Sequence, residues 1–294
     1  MEKHVSFFDA IESNKRNSII LMGALFVIYM AMIAAFSYIF DIGYCGIVLG
    51  FFVIFFYFAI SYFYGDSIIL SISGAKKIEA KDDPFLYNVA EGLALASGIP
   101  VPHLYIINDP APNAFATGRD PKHASVAVTT GLRQMLTREE LEGVVAHEIS
   151  HIGNYDIRFS MVGIVFAGAI ALMADFAWRM MFFGGSDRNR NRGSGAITLI
   201  AIAIMVLGPL FAQIVRFAIS REREYLADAT AAKLTRYPAG LASALEKITS
   251  QPMTVQRATD TTASLYIANP LPKAFALFST HPAPSDRIKR LRAM

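Results

Sequence analysis

Apolar residues in this chain fall into long uncharged blocks. Ile19 to Phe40 has no charged side chain, nor does Tyr44 to Tyr64, and only Asp41, Ile42 and Gly43 separate them. About 20 apolar residues, rising 1.5 Å each, cross a bilayer core of about 30 Å. The pattern therefore predicts two membrane helices in a tight hairpin. A cleaved signal peptide would carry an apolar run of only about 7–15 residues before a small-residue cleavage site. Here the run is longer and a second follows at once. Met161 to Trp178 is apolar except Asp175, and Ala196 to Phe217 except Gln213 and Arg216, with a kink expected at Pro209. These two blocks form a second hairpin that either spans or is buried in protein. Asp175 and Arg179, four residues apart, can pair on one helix face near an interface.

The blocks divide the chain into an N-terminus (1–18), a first membrane hairpin (19–64), a soluble stretch (65–160), a second hairpin (161–217) and a second soluble stretch (218–294). In the first soluble stretch, Ser67 to Ser73, His103 to Ile107 and Ser125 to Thr129 read as strands. Pro84 to Ser97 reads as a helix ended by Pro100 and Pro102. Ala111 to Gly118 has loop or edge-strand chemistry. Gly184 to Gly195, rich in Gly, Ser, Asn and Arg, reads as a solvated loop.

Composition agrees with a membrane protein that has a soluble part. Of 294 residues, 54% are hydrophobic and 17% charged, against about 25% charged in an ordinary soluble domain. The 27 basic and 24 acidic residues are too balanced to argue for a nucleic-acid partner. Cys45, alone and in an apolar run, excludes an intrachain disulfide or a cysteine-rich zinc site.

One motif carries chemistry. His147-Glu148-Ile149-Ser150-His151 is H-E-x-x-H, which chance supplies on the order of once in a hundred chains of this length. It needs a helix, because residues i and i+4 then share a face and both imidazoles reach one metal. Thr137 fits the N-cap of that helix, with Glu140 completing a capping box and Leu136 and Leu141 a hydrophobic staple. Zinc on three protein ligands keeps a fourth position for water, lowers that water's pKa toward 7 and polarises a carbonyl. Glu148 is then the base that takes the water's proton and passes it to the leaving amine. The third ligand must come from elsewhere, since no further histidine follows His151 at metzincin spacing. Glu224, in a helical stretch with Asp228 four residues on and small Ala227 and Ala231 alongside, is the better candidate. Asp228 would orient a ligand histidine.

H-E-x-x-H, then a membrane hairpin, then E-Y-x-A-D resembles the M48 zinc metallopeptidases, closest to the HtpX heat-shock proteases of prokaryotic membranes. Asn113-Ala-Phe-Ala-Thr-Gly, the run from His147 to Asp156, and Ser279-Thr-His-Pro-Ala-Pro-Ser-Asp-Arg-Ile agree as well. The resemblance covers nearly the whole chain. It implies an α-helical membrane protein with an α+β zincin-like (gluzincin) catalytic domain and about four transmembrane or membrane-embedded helices. It also implies one Zn2+ on His147, His151 and Glu224, with Glu148 as base. His281 would hydrogen-bond the tetrahedral oxyanion and Asn113 would hold substrate backbone. The implied activity is zinc-dependent endoproteolysis of misfolded or misassembled membrane proteins, a stress and quality-control role in the prokaryotic inner membrane.

Topology constrains this reading. His147, His151 and Glu224 must meet on one side, so the blocks between them cross the membrane an even number of times. Lys3, Lys15 and Arg16 precede the first block, while the 41–43 loop has no Lys or Arg. The positive-inside rule therefore puts the N-terminus and the site in the cytosol. Arg188, Arg190 and Arg192 in the later loop pull the other way. A CAAX-type processing protease is the enzymatic alternative, separated by substrate length and prenyl dependence, though the relatives that process CAAX proteins carry more spans. A non-catalytic metal-binding sensor or scaffold is the alternative of another class. It would not need Glu148. A transporter fits less well, because the ionisable cluster lies outside the apolar blocks.

Overall fold

The computed structural model describes residues 7–39, 43–163, 221–251, 253–259, 262–271 and 282–294. The second apolar pair, with Asp175 and Arg179, lies almost wholly outside the described residues, as do the 184–195 loop and His281.

Two long helices open the chain. α1 runs Phe7–Ile39 and α2 runs Gly43–Ile72. Leu21, Leu25 and Tyr29 of α1 pack with Ile54 of α2, and Phe26 meets Phe51 and Phe58 edge to face. The outer face of α2 is unusual for a water-soluble helix: Phe51, Phe52, Phe55, Phe56 and Phe63 are all exposed. Among the described residues α2 is the one helix long and apolar enough to cross a membrane. At 30 residues it is about 45 Å long, more than the hydrocarbon core needs.

The excess length corrects one strand expectation. Ser67 to Ser73 is not a strand: residues through Ile72 continue α2. Its β-branched and serine-rich composition favours a strand locally, but extending an existing helix adds one hydrogen bond per residue without a new nucleus. The helix ends at Gly74, whose φ of +67° suits the left-handed turn. Ile69 and Leu70 then reach the sheet, packing with Ile107, Phe115 and Tyr266.

The sheet has four strands, β1 (Ala75–Lys77), β2 (His103–Ile107), β3 (Ala114–Gly118) and β4 (Ala124–Thr129), in the order β1-β2-β4-β3. β2 and β4 are parallel; β1 and β3 are antiparallel edges. The strands expected at 103–107 and 125–129 are β2 and most of β4, and the 111–118 stretch supplies the edge strand β3. Helix α3 is Pro84–Ser97, the bounds read from the sequence, and it closes on a left-handed Gly98 ahead of Pro100 and Pro102. α4 (Thr130–Met135) leads into α5 (Arg138–Gly153), which lies across the sheet. α6 (Arg221–Thr235), α7 (Pro238–Ser250) and α8 (Pro284–Arg292) complete the described helices. One apolar core joins α3, α5, α7 and one face of the sheet, with Val144, Val145, Ile149 and Leu245 at its centre. Glycine lets α5 and α7 touch through their backbones: a Cβ on Gly143 would lie 2.6 Å from the nitrogen of Leu241.

Candidate metal centre

α5 carries the H-E-x-x-H motif, and its start is fixed as the sequence indicated. Thr137 Oγ1 accepts from the Glu140 amide, and the Glu140 carboxylate accepts from the Thr137 amide at 2.8 Å. Glu140 also accepts from Ser243 at 2.6 Å and Lys247 at 2.7 Å of α7. Burial would raise its pKa, but these donors outweigh that and lower it. Leu136 and Leu141 are both in the core.

Helical spacing turns His147 and His151 the same way, with their rings 4.7 Å apart. α6 packs closely against α5, and its Ala227 and Ala231 are fully buried. That close approach brings Glu224 to the histidines. His147 Nε2 lies 3.6 Å from Glu224 Oε2, His151 Nε2 lies 3.5 Å from Glu224 Oε1, and the two Nε2 atoms are 3.2 Å apart. Zinc bonds of about 2.0–2.2 Å in a tetrahedron imply ligand–ligand edges of roughly 3.3–3.6 Å. The two Nε2 atoms and the Glu224 carboxylate, each of its oxygens nearer one histidine, come close to those edges, with one ligand atom from each residue within 4.8 Å of the others, and two imidazoles with a carboxylate are a zinc-type donor set. Glu148 is 2% exposed and lines a cavity of about 30 Å³ with His151, Glu224, Ala116 and Ser264.

Each histidine is backed by its own carboxylate. Asp228, one helical turn beyond Glu224, places Oδ1 3.0 Å from His147 Nδ1. The fully buried Arg287 of α8 grips Asp228 with two bonds, Nε to Oδ2 at 2.9 Å and Nη2 to Oδ1 at 2.6 Å. Burial would raise the Asp228 pKa, but His147 and Arg287 bring it down to about 2. On the other side, Asp156 Oδ2 is 3.0 Å from His151 Nδ1. Burial disfavours the His151 imidazolium, but the hydrogen bond to Asp156 and the charges of Glu224, Asp156 and Glu148 outweigh it, raising its pKa to about 9. His147 is also raised, burial and Arg287 opposing, Asp228 and Glu224 prevailing. So many mutually perturbed ionisable groups in one buried cluster mark a functional site.

A family model described as Peptidase family M48 matches residues 80–294. The chain belongs to this family. A protease HtpX homolog of Dictyoglomus thermophilum is 46% identical over 293 residues, covering 99% of this chain and 96% of its own. One from Streptococcus gordonii is 39% identical over 297 residues, covering 98% and 99%. The crystal structure of S. mikatae Ste24p superposes with a TM-score of 0.52 at 19% identity, covering 97% of this chain and 66% of that one, so the two share a fold. M48 membership makes the chain a protease of the metallopeptidase kind, and His147, His151 and Glu224 are its candidate metal site.

Motif spacing assigns no role to three residues around the site. Asp156 stands in the quoted run after His151, but its role depends on the turn at Asn154 and Tyr155. Arg287 stands in the Ser-Asp-Arg-Ile run, 59 residues from the Asp228 it grips. Asn14 stands outside the M48 match altogether. Asn113, which the resemblance assigns to holding substrate backbone, is bonded within the protein in this structure. Its Nδ2 donates to Ala268 O at 2.9 Å, and its Oδ1 accepts from the Ala114 and Ala268 amides. It ties β3 to the neighbouring 266–268 segment.

Proposed function

We propose that this chain is an integral membrane zinc endopeptidase that hydrolyses misfolded or misassembled membrane proteins at the cytosolic face, as part of stress-related quality control. The observation that carries the hydrolytic part is the convergence of His147, His151 and Glu224 at metal-ligating distances with Glu148 beside them. Zinc, when bound there, supplies a water acidified toward neutral pH and a Lewis acid for the scissile carbonyl.

The protein's own residues do the rest. Glu148, buried beside the ligands, takes a proton from the attacking water and gives it to the leaving amine. Asp228 and Asp156 accept from the Nδ1 atoms of His147 and His151, which fixes each ring with Nε2 toward the metal. Ala116, in the middle of edge strand β3, lines the same cavity as Glu148. The Ala114 carbonyl already accepts from the Ile267 amide at 3.0 Å, so an extended segment pairs with the edge from Ala116 onward, bringing a peptide bond over Glu148, which suits unfolded chains with little side-chain preference. Asn113 contributes by exchanging its bonds to Ala268 for bonds to substrate backbone, and His281 steadies the oxyanion.

Four membrane helices and a gluzincin-type catalytic domain belong to the same proposal. The aromatic outer face of α2 supports a lipid-facing helix. The start of α1 touches the loop after α5, which supports an N-terminus on the same side as the site. The test is cleavage of an unfolded protein such as casein by detergent-purified, zinc-loaded protein. Wild type should cleave and Glu148→Gln should lose at least a hundredfold in kcat while retaining zinc. Equal cleavage by the two would refute the assignment of Glu148.

A further inference from the structure

The metal site is braced from two directions. Asp228 and Arg287 act from the C-terminal part of the chain, inside the family match. Asp156 is held from α1, which lies wholly before residue 80. Asn14 of α1 is buried, and its Nδ2 donates to Asp156 Oδ1 at 2.7 Å and to Asn154 O at 2.9 Å. Both of its amide hydrogens are thus used on the short turn after α5. Ser18 donates to Asn14 O at 2.7 Å, and Lys15 sits 4.2 Å over the Tyr155 ring.

That turn has a reason to need holding. Tyr155 has a φ of +61°, a left-handed conformation costly for an aromatic residue. The conformation swings the chain back, so that Asp156 faces His151 five residues earlier. Arg223, with Nη1 3.7 Å from Asp156 Oδ1, supplies charge but sits farther away than the Asn14 amide. From residue 156 the chain is helical again, and Phe159 and Val162 pack with Leu21 and Leu25 of α1.

We infer that Asn14 is a positioning residue of the metal centre: α1 fixes Asp156 through Asn14, and Asp156 fixes the ligand His151. This rests on the metal-site reading above. It makes the first helix of the membrane part a structural component of the catalytic centre, so a displacement of α1 loosens the grip on the metal.

The experiment uses full-length protein in detergent and reads two quantities, the rate of zinc transfer to a chromogenic chelator, and kcat and KM on casein. Asn14→Asp keeps the size but removes the N–H donors; it should release zinc about tenfold faster, the low end for a group supporting a ligand. It should also lower kcat with KM unchanged. Asn14→Gln, which keeps the amide, should recover part of both. Arg16→Ala, on an exposed position of the same helix, should match wild type. Asn14→Ala placed on Asp156→Asn should add no further loss, since both act through one contact. An Asn14→Asp protein that holds zinc and turns over like wild type overturns the inference, as do fully additive losses in the double variant. Wild type that retains no zinc takes down the metal-site reading and this inference together, whereas zinc-retaining wild type with indifferent Asn14 variants removes this inference alone.

Discussion

His151 shows how single residues set the behaviour of the site. Its pKa of about 9 without metal means that at neutral pH it carries a proton which zinc must displace. Because the folded value is raised above the ordinary 6.5, this group's stabilisation of the metal-free fold is complete below about 6.5. It is lost as pH rises toward 9. Zinc affinity runs the other way, growing with pH over the same window as the competing proton leaves. Melting temperatures measured with and without chelator from pH 6 to 9 should therefore diverge, with the increment due to zinc largest at the alkaline end. A constant increment would contradict the assignment of His151 as ligand. Asp228→Asn should lower zinc affinity about 10–100-fold, measured by chelator competition, because the His147 ring loses its anionic acceptor. Much of this was legible in the residues. His147, Glu148 and His151 stand in one motif at helical spacing, whereas Glu224 and Asp228 follow from the metal's need for a third ligand and the family resemblance, with i, i+4 spacing in support. Asp156, Arg287 and Asn14 do not, because a left-handed turn and two long-range contacts bring them in, and local spacing carries no record of either.

Among the elements, the α5 helix was the most legible, since its cap, its staple and its apolar stripe are all local. Its contact with α7 was not, because it depends on glycines on two distant helices. Gly143 faces the Leu241 backbone, and Gly240 would put a Cβ 2.6 Å from the Glu139 carbonyl oxygen. Gly143→Ala should destabilise the fold by about 1–3 kcal/mol in chemical denaturation, since backbone atoms cannot yield as a flexible side chain would. It should also disturb zinc retention, because Gly143 lies one turn before His147. A variant as stable as wild type would mean that the two helices sit farther apart. The end of α2 teaches the opposite lesson about local pattern. The 67–73 run looks like a strand in isolation, and only its continuity with a helix already formed makes it helical.

At the scale of the molecule, composition and block lengths pointed to a membrane protein with a soluble part, and the fold adds how the two are joined. α2 extends past any hydrocarbon core to meet the sheet, and α1 reaches the turn beside His151. Sequence could pair the apolar blocks but not tell that one of them braces the centre. Cys45, the sole cysteine, is exposed near the start of α2, at the far end of the α1–α2 hairpin from Asn14. If the site faces the cytosol, a membrane-impermeant maleimide should label Cys45 in intact cells. Labelling only after permeabilisation would invert the proposed orientation.

The central claim is that His147, His151 and Glu224 bind one zinc ion. Zinc X-ray absorption on the Glu148→Ala protein, purified without chelator and spared self-cleavage, tests it most directly. One zinc per chain is expected, with only nitrogen and oxygen neighbours at about 2.0–2.2 Å, two of them imidazoles, and with the signal lost in His151→Ala. A folded protein without zinc, or zinc unaffected by His151→Ala, would contradict it.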